Sequence, residues 1–422
     1  MDSLRTMRRE QAPALQDVRL SAPLTFSIPI PEVTFMARVA LIPCASYKGA
    51  DAAVTAALDL IGADTLFAPG EKILLKPNLL TKAAADGAVT THPAVFAAVA
   101  DYLSAHGCSN LAYGDSPGHG QPAAAAEACG IAAAAAARGV RAADFSGGKT
   151  VPFPDGRTAK EFILANEVPT FDAIVNICKM KTHMLERITG AQKNLFGCVF
   201  GLNKGACHVK FQNAERFACM VADLNLLLRP RLHVMDGVVA MEGNGPQSGT
   251  PTPMRVILAS TDPVALDTVF AALVYLDPAL VPTNVIGAKY GVGEGDPAKI
   301  EVVTEEDGAL SVDEAQQKYG NPHFDVYRGH ADKGEIKQLR PFRRLLAQRP
   351  KIDAKKCVRC GVCVKSCPVE GGAIHFKKDG KPPVYDYQKC IRCYCCQEMC
   401  PKKAIYNYRN PLTKIADVKF KV

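Results

Sequence analysis

Eight cysteines in two matching runs are the residues of this chain best suited to chemistry. Cys357-x2-Cys360-x2-Cys363-x3-Cys367-Pro368 is followed by Cys390-x2-Cys393-x2-Cys396-x3-Cys400-Pro401. Three closely spaced thiolates wrap one side of a [4Fe–4S] cubane, and in two-cluster proteins of this spacing the fourth comes from the other run. The spacing therefore predicts cluster I on Cys357, Cys360, Cys363 and Cys400, and cluster II on Cys390, Cys393, Cys396 and Cys367. A zinc site would need only four of these thiols and leave four without a role. The runs also agree outside the ligands, Lys356-Cys357-Val358-Arg359-Cys360 against Lys389-Cys390-Ile391-Arg392-Cys393, and Ala373-Ile374 against Ala404-Ile405. Cys395, a ninth cysteine, aligns with Val362 and is not expected to bind iron. The chemistry implied is electron transport of the ferredoxin type.

A second set of candidates follows the strand-like runs upstream. These are Lys76-Pro77-Asn78, Gly114-Asp115-Ser116-Pro117-Gly118, Lys179-Met180-Lys181-Thr182-His183, Asp236-Gly237 with Glu242, and Asp262-Pro263. In open α/β sheets ligands gather beyond the carboxyl ends of the strands, so charged residues recurring there point to one shared site. Lys179, Lys181 and His183 alternate and should face one side together. Lys193 and Asn194 come next, in a run punctuated by Gly190, Gly197, Gly201 and Gly205 that is apolar for a solvated loop. Lys76, Asn78, Lys179, Lys193 and Asn194 are thus expected to bind a small anion, a carboxylate or phosphate held by lysine point charges. His183 is the candidate proton donor, with Lys181 beside it, because imidazole titrates near neutrality. Asp236 and Glu242 suit acid–base work or a divalent metal. Plainer roles compete. Asp262 and His92, each before a proline, should cap helices, and Asp115 can close an Asx-turn.

Three tempting motifs fail on chemistry. Gly114-Asp115-Ser116-Pro117-Gly118 has the spacing of a hydrolase nucleophile elbow, but Pro117 lacks the N–H that such an elbow uses as an oxyanion donor. Gly148-Lys149-Thr150 ends like a phosphate-binding loop, yet Ala143 stands where its first glycine belongs. Gly243-Asn244-Gly245 runs to Gly249, one residue too far for a dinucleotide fingerprint.

Composition narrows the class further. The chain has 422 residues, 48% hydrophobic and 22% charged, which is ordinary globular usage. No run of 18 apolar residues could span a membrane. Nine of its 16 cysteines lie within residues 357–422. A chain this long needs no disulfide staples, so the cysteines point to metal and to a reducing compartment, the cytoplasm. Arg5, Arg8 and Arg9 are followed by no apolar segment of a signal peptide. The net charge is +8, but residues 351–422 alone carry 16 Lys and Arg against 6 Asp and Glu. Two clusters of roughly −2 each would only partly offset that excess. The remainder favours cluster reduction and docking of an acidic redox partner. No nucleic-acid-binding motif accompanies it, so nucleic acid is not an expected partner.

The elements that must position these residues read as an α/β domain with a mainly parallel sheet and flanking helices. Strands are expected at Arg38–Pro43, Lys72–Lys76, Asn110–Tyr113, Ala173–Ile177, Arg231–Met235 and Arg255–Ala259. Helices are expected at Pro93–His106, Ala123–Arg138, Phe217–Leu228 and Pro263–Leu276. Residues 1–35 read as a disordered leader, with Met36 a candidate start. Residues 36–330 form the α/β domain. A linker, 331–350, with a short helix at Phe342–Gln348, leads to a small α+β ferredoxin-like module, 351–422.

The quoted strand-end motifs, with Gly190-Ala191-Gln192-Lys193-Asn194-Leu195-Phe196-Gly197, Met235-Asp236-Gly237 and Asp262-Pro263-Val264-Ala265-Leu266-Asp267, resemble the proteins grouped as domain of unknown function 362. The resemblance spans roughly Val39 to Gly295 and implies an α/β domain fused to an iron–sulfur module, suited to anaerobic metabolism. It carries no activity across. Two functions fit. One is an oxidoreductase whose two [4Fe–4S] clusters pass electrons to a small anionic substrate or cofactor in the α/β domain. The other is an electron carrier or adaptor whose α/β domain only recognises a partner or effector. The first requires the strand ends to converge on a pocket facing a cluster. The second requires clusters facing solvent and no such pocket.

Overall fold

A computed structural model describes residues 37–329 and 348–410, apart from residues 119, 202, 378 and 379. The leader, the candidate start at Met36, most of the linker and nearly all of its expected helix lie outside the described residues.

The strands, in chain order, begin with β1 (Ala37–Pro43), β2 (Ile73–Pro77), β3 (Leu111–Tyr113), β4 (Arg141–Ala142), β5 (Gly148–Pro152) and β6 (Glu161–Ala165). They continue with β7 (Ala173–His183), β8 (Arg187–Thr189), β9 (Leu232–Glu242), β10 (Thr250–Ser260), β11 (Ile300–Thr304) and β12 (Gly308–Leu310). One sheet runs in the order β12-β11-β1-β10-β9-β7-β2-β3-β4, with β8 hairpinned onto β7. From β9 to β4 every pairing is parallel. β10 lies antiparallel between β9 and β1.

Alternate side chains of each strand feed cores on opposite faces. Ile73, Leu75, Val175 and Ile177 pack with the helices Ala50–Leu60 and Pro93–Ala105 on one face. Leu74 and Ile174 pack with Ala214–Leu228 on the other, while Leu41 and Leu258 pack with Pro263–Leu273. Burial on both faces explains why β2 and β7 are enclosed at every position. The expected strands and helices are present; β10 begins earlier than expected, at Thr250, and two differences are larger. β7 and β9 run on to His183 and Glu242, because pairing continues through the polar motifs. The alanine-rich stretch splits into Pro122–Ala128 and Ile131–Ala136 at Gly130, whose φ of 83° no other residue type takes so cheaply. Asp262 and His92 are helix caps, as expected.

The C-terminal module contains β13 (Arg349–Ile352), β14 (Ile374–His375), β15 (Val384–Tyr385) and β16 (Ile405–Tyr408), paired β13–β16 and β14–β15. Each cysteine run ends on a one-turn helix, Val362–Lys365 or Cys395–Glu398. The repeat holds down to backbone dihedrals. Arg359 and Arg392 take φ of 60° and 56°, and Gly361 and Tyr394 take 75° and 62°.

Candidate functional site

Two thiol cradles occupy the module. One is lined by Cys357, Cys360, Cys363 and Cys400, with Ile352, Ala404 and Ile405 behind them. The other is lined by Cys367, Cys390, Cys393 and Cys396, with Ala373, Ile374 and Tyr385. The runs thus exchange their fourth cysteines, and the grouping is the one the spacing predicts. Each exchanged sulfur accepts an equivalent backbone hydrogen bond: Ala373 N–H donates to Cys367 Sγ at 3.3 Å and Ala404 N–H to Cys400 Sγ at 3.2 Å. Four thiols around an apolar hollow, with N–H donors turned onto sulfur, fit an iron–sulfur cubane. Among the described residues no three His, Cys, Asp or Glu side chains gather tightly enough to hold a single metal ion. All 16 cysteines are free.

The module is fastened to the sheet's carboxyl edge. Gln397 Nε2 donates to the carbonyls of Asn244 at 2.8 Å and Gly245 at 3.1 Å, and Asn244 Nδ2 donates to Ile405 O at 3.0 Å. His183 Nε2 lies 2.9 Å from Glu398 Oε1. Its Nδ1 accepts the N–H groups of Leu185 and Glu186, so Nε2 carries the proton and donates it. Burial, reinforced by Lys193, pushes the His183 imidazole down to about 4. Burial opposes charge on Glu398 too, but the bond from His183 and the nearby Lys193 hold it at about 2. At neutral pH this is a neutral imidazole bonded to a carboxylate.

Between the sheet edge and the module lies a cavity of about 370 Å³. Asn78, Lys181, Lys193 and Asn194, all expected site residues, line it. So do Lys204 and His208 from the helix Asn203–Lys210, and Lys365, Ser366, Cys395, Glu398 and Met399 from the module. A chain of amides sets the geometry. Lys181 Nζ donates to Asn78 Oδ1 at 2.7 Å, Asn78 Nδ2 to Asn194 Oδ1 at 2.9 Å, and Asn194 Nδ2 to Asn176 Oδ1 at 2.7 Å. Because each amide nitrogen is already committed, each carbonyl oxygen must face the donor before it. Burial brings Lys181 down to about 7, helped by Lys193 and Lys179, and brings Lys204 down to about 7 as well.

Five expected residues, Lys76, Lys179, His183, Asp236 and Glu242, do not line the cavity. Lys76 is fully enclosed 2.9 Å from Asp115 Oδ1, so its charge is already matched. Asp115 closes no Asx-turn; its other oxygen accepts Leu79 N–H. Lys179 donates to Asp236 Oδ2 at 2.7 Å and to Tyr47 Oη at 2.8 Å, and burial lowers its pKa. Asp236 is consumed in the same contact and in holding His92 N–H, which leaves no carboxylate oxygen for a metal or a substrate. Glu242 accepts Asp325 N–H outside the cavity. His183 acts on the cavity only through Glu398.

Sequence reasoning missed Lys204, His208, Lys365 and Glu398. For the last two a signal existed. In the aligned cysteine runs Lys365 stands opposite Glu398 and Ser366 opposite Met399, and all four line the cavity. The repeat departs from its own pattern where both halves meet the same hollow.

Residues 73–272 match the family described as Domain of unknown function (DUF362), and residues 349–401 match a 4Fe-4S dicluster domain. The thylakoid-associated protein sll1697 of Synechocystis sp. is 35% identical over 225 residues, 53% of this chain and 69% of that protein. Among solved structures, the lactate racemase apoprotein of Thermoanaerobacterium thermosaccharolyticum overlaps at a TM-score of 0.35 and 12% identity, over 53% of this chain and 54% of that one. A Thermotoga maritima protein overlaps at a TM-score of 0.30 and 11% identity, over 49% and 53%. The chain spans about half of either, and overlap this slight bears on neither fold nor activity. No helix among the described residues is long and apolar enough to cross a membrane. With its strand-end motifs, its exchanged cysteine runs and a relative of this similarity, the chain belongs to the DUF362 family and carries a 4Fe-4S dicluster domain.

Proposed function

We propose that the protein is an iron–sulfur oxidoreductase of the reducing cytoplasm that acts on a small anionic molecule held in the cavity. Two [4Fe–4S] clusters would sit on Cys357, Cys360, Cys363 and Cys400, and on Cys390, Cys393, Cys396 and Cys367. When bound, they supply electrons one at a time. The observation that carries this reading is that one cavity has the sheet-edge lysines and the module's helix Cys395–Glu398 in its walls. Cys395 and Ser366 are the sequence neighbours of Cys396 and Cys367, two thiols of the second cradle.

The chain's own residues have definite duties in this reading. Lys181, Lys193 and Lys204 attract the anion. Asn78 and Asn194 fix the Lys181 ammonium, which can also release a proton near neutrality. His183 holds the Glu398 carboxylate in the wall, while Leu80, Phe196 and Met399 limit water. Iron and acid-labile sulfide analysis after anaerobic purification, followed by a screen for small molecules that reoxidise the dithionite-reduced protein, tests the proposal. Turnover reduced at least tenfold in Lys181→Ala and Lys193→Ala, with cluster content intact, supports it. Equal turnover in both variants removes the cavity from the mechanism.

One observation favours the carrier reading. The first cradle opens outward, with Cys360 exposed and Val358 53% exposed, among the exposed basic residues Lys355, Lys356, Arg359 and Lys402. An acidic redox protein would dock there. In a pure carrier, electron exchange with such a partner is indifferent to cavity substitutions.

A further inference from the structure

Of the lysines Lys76, Lys179 and Lys181 at strand ends and Lys204 on the helix Asn203–Lys210, two have built-in counter-charges. Lys76 faces Asp115 at 2.9 Å and Lys179 faces Asp236 at 2.7 Å. Lys181 and Lys204 do not. Lys181 is 1% exposed and donates only to the neutral oxygens Asn78 Oδ1 and Val89 O, at 2.7 and 2.8 Å. Lys204 donates to Ser116 O at 2.7 Å. Neither forms an ion pair among the described residues. Asp115 is matched by Lys76, and Glu398 keeps its charge because the His183 that donates to it is neutral.

Lys204 is half-buried, whereas Lys181 is enclosed, and an enclosed ammonium without a counter-ion either gives up its proton or takes a counter-ion from the chain or from a ligand. Both lysines line the same cavity, which at about 370 Å³ is large enough for an organic molecule. They come from different elements, the strand Ala173–His183 and the helix Asn203–Lys210. Lys204 senses Asp115, Lys76, Cys198 and Cys207, whereas Lys181 lies within the field of Lys193, Lys179, Asp115 and Glu398. Lys193 has Glu398 nearby as partial balance. With all three lysines protonated, Lys181, Lys193 and Lys204 face the one unmatched carboxylate of Glu398, and two positive charges are left over.

We infer that the ligand is a dianion, a dicarboxylate or a phosphate monoester, bridging the ammonium groups of Lys181 and Lys204. This rests on the cavity being the ligand site. A single carboxylate satisfies one ammonium and strands the other, and a neutral molecule strands both.

Calorimetry on the full chain, with clusters reconstituted anaerobically, tests the inference at pH 7 with four probes: succinate, glycerol 3-phosphate, acetate and succinamide. At least one dianion is expected to bind at least about tenfold more tightly than acetate or succinamide, and the preference between them identifies the source of charge. Lys204→Gln and Lys181→Gln should each remove that advantage, with iron content and the EPR signal of the reduced clusters unchanged. Acetate or succinamide binding as tightly as the dianions, and weakened by Lys181→Gln, would overturn the dianion while the cavity remained a ligand site. Binding of none of the four at millimolar concentration overturns both.

Discussion

A lysine ammonium inside a protein needs a counter-charge, and the strand ends meet that need in unlike ways. Asp236 serves Lys179 inside the fold. Asp236→Asn should therefore cost about 3–5 kcal/mol in urea unfolding, the usual penalty for stranding one member of a buried pair, without lowering cluster content. Buried histidines give a second test. His233, on β9, receives Asn176 Nδ2 on Nδ1, and burial pushes it down to about 3. Unfolded histidine takes up its proton near 6.5 while the folded one does not, so stability falls as pH drops from about 6.5 towards 3. The slope is ~1.4 kcal/mol per pH unit per histidine. His233→Gln keeps an acceptor for Asn176 and should flatten the pH profile of the urea midpoint. In the sequence, the alternation of Lys179, Lys181 and His183 already implied a shared face. That Lys179 would be neutralised was hidden, because its partner lies 57 residues away and a single aspartate leaves no periodic mark.

Elements place the cavity residues through two close approaches. Asp267, from the helix Pro263–Leu273, accepts Ala191 N–H at 2.6 Å and Gln192 N–H at 3.1 Å, anchoring the short turn that presents Lys193 and Asn194. Asp267→Ala should lower stability by about 1.5–3 kcal/mol and weaken anion binding, read by unfolding and calorimetry on one preparation. Gly197 ends the same motif. A Cβ there would stand 1.8 Å from Asp115 Oδ1 and 2.7 Å from Lys76 Nζ, so the ion pair closes only over glycine. Most strands and helices were legible from apolar runs and from prolines at helix starts. The upper halves of β7 and β9 were not. Lysine, threonine and histidine lie past the apolar run that marks the strand, and pairing to β8 and β9 with the docked module makes that polar stretch of β7 a strand interior.

At the scale of the molecule, the exchange of fourth cysteines makes each repeat depend on the other. Cys367→Ser, in the first run, is expected to damage the second cradle and leave the first. Iron should fall from about eight towards four per chain, and the EPR features of two interacting clusters should collapse to those of one. Loss confined to the first cradle would refute the exchange. The cradles were readable to the residue from spacing, whereas the module's seat on the sheet was not. Its bonds join Gln397 to Asn244 and Gly245, and His183 to Glu398, across 150 to 215 residues, and no local spacing pairs residues so far apart. One wall of the cavity is made of the module's helices Val362–Lys365 and Cys395–Glu398, which carry thiols of both cradles. On the proposed function iron binding and ligand capture are therefore linked, and chelating the iron should weaken anion binding in calorimetry. By the same linkage, an anion that fills the cavity should slow the loss of iron to a chelator.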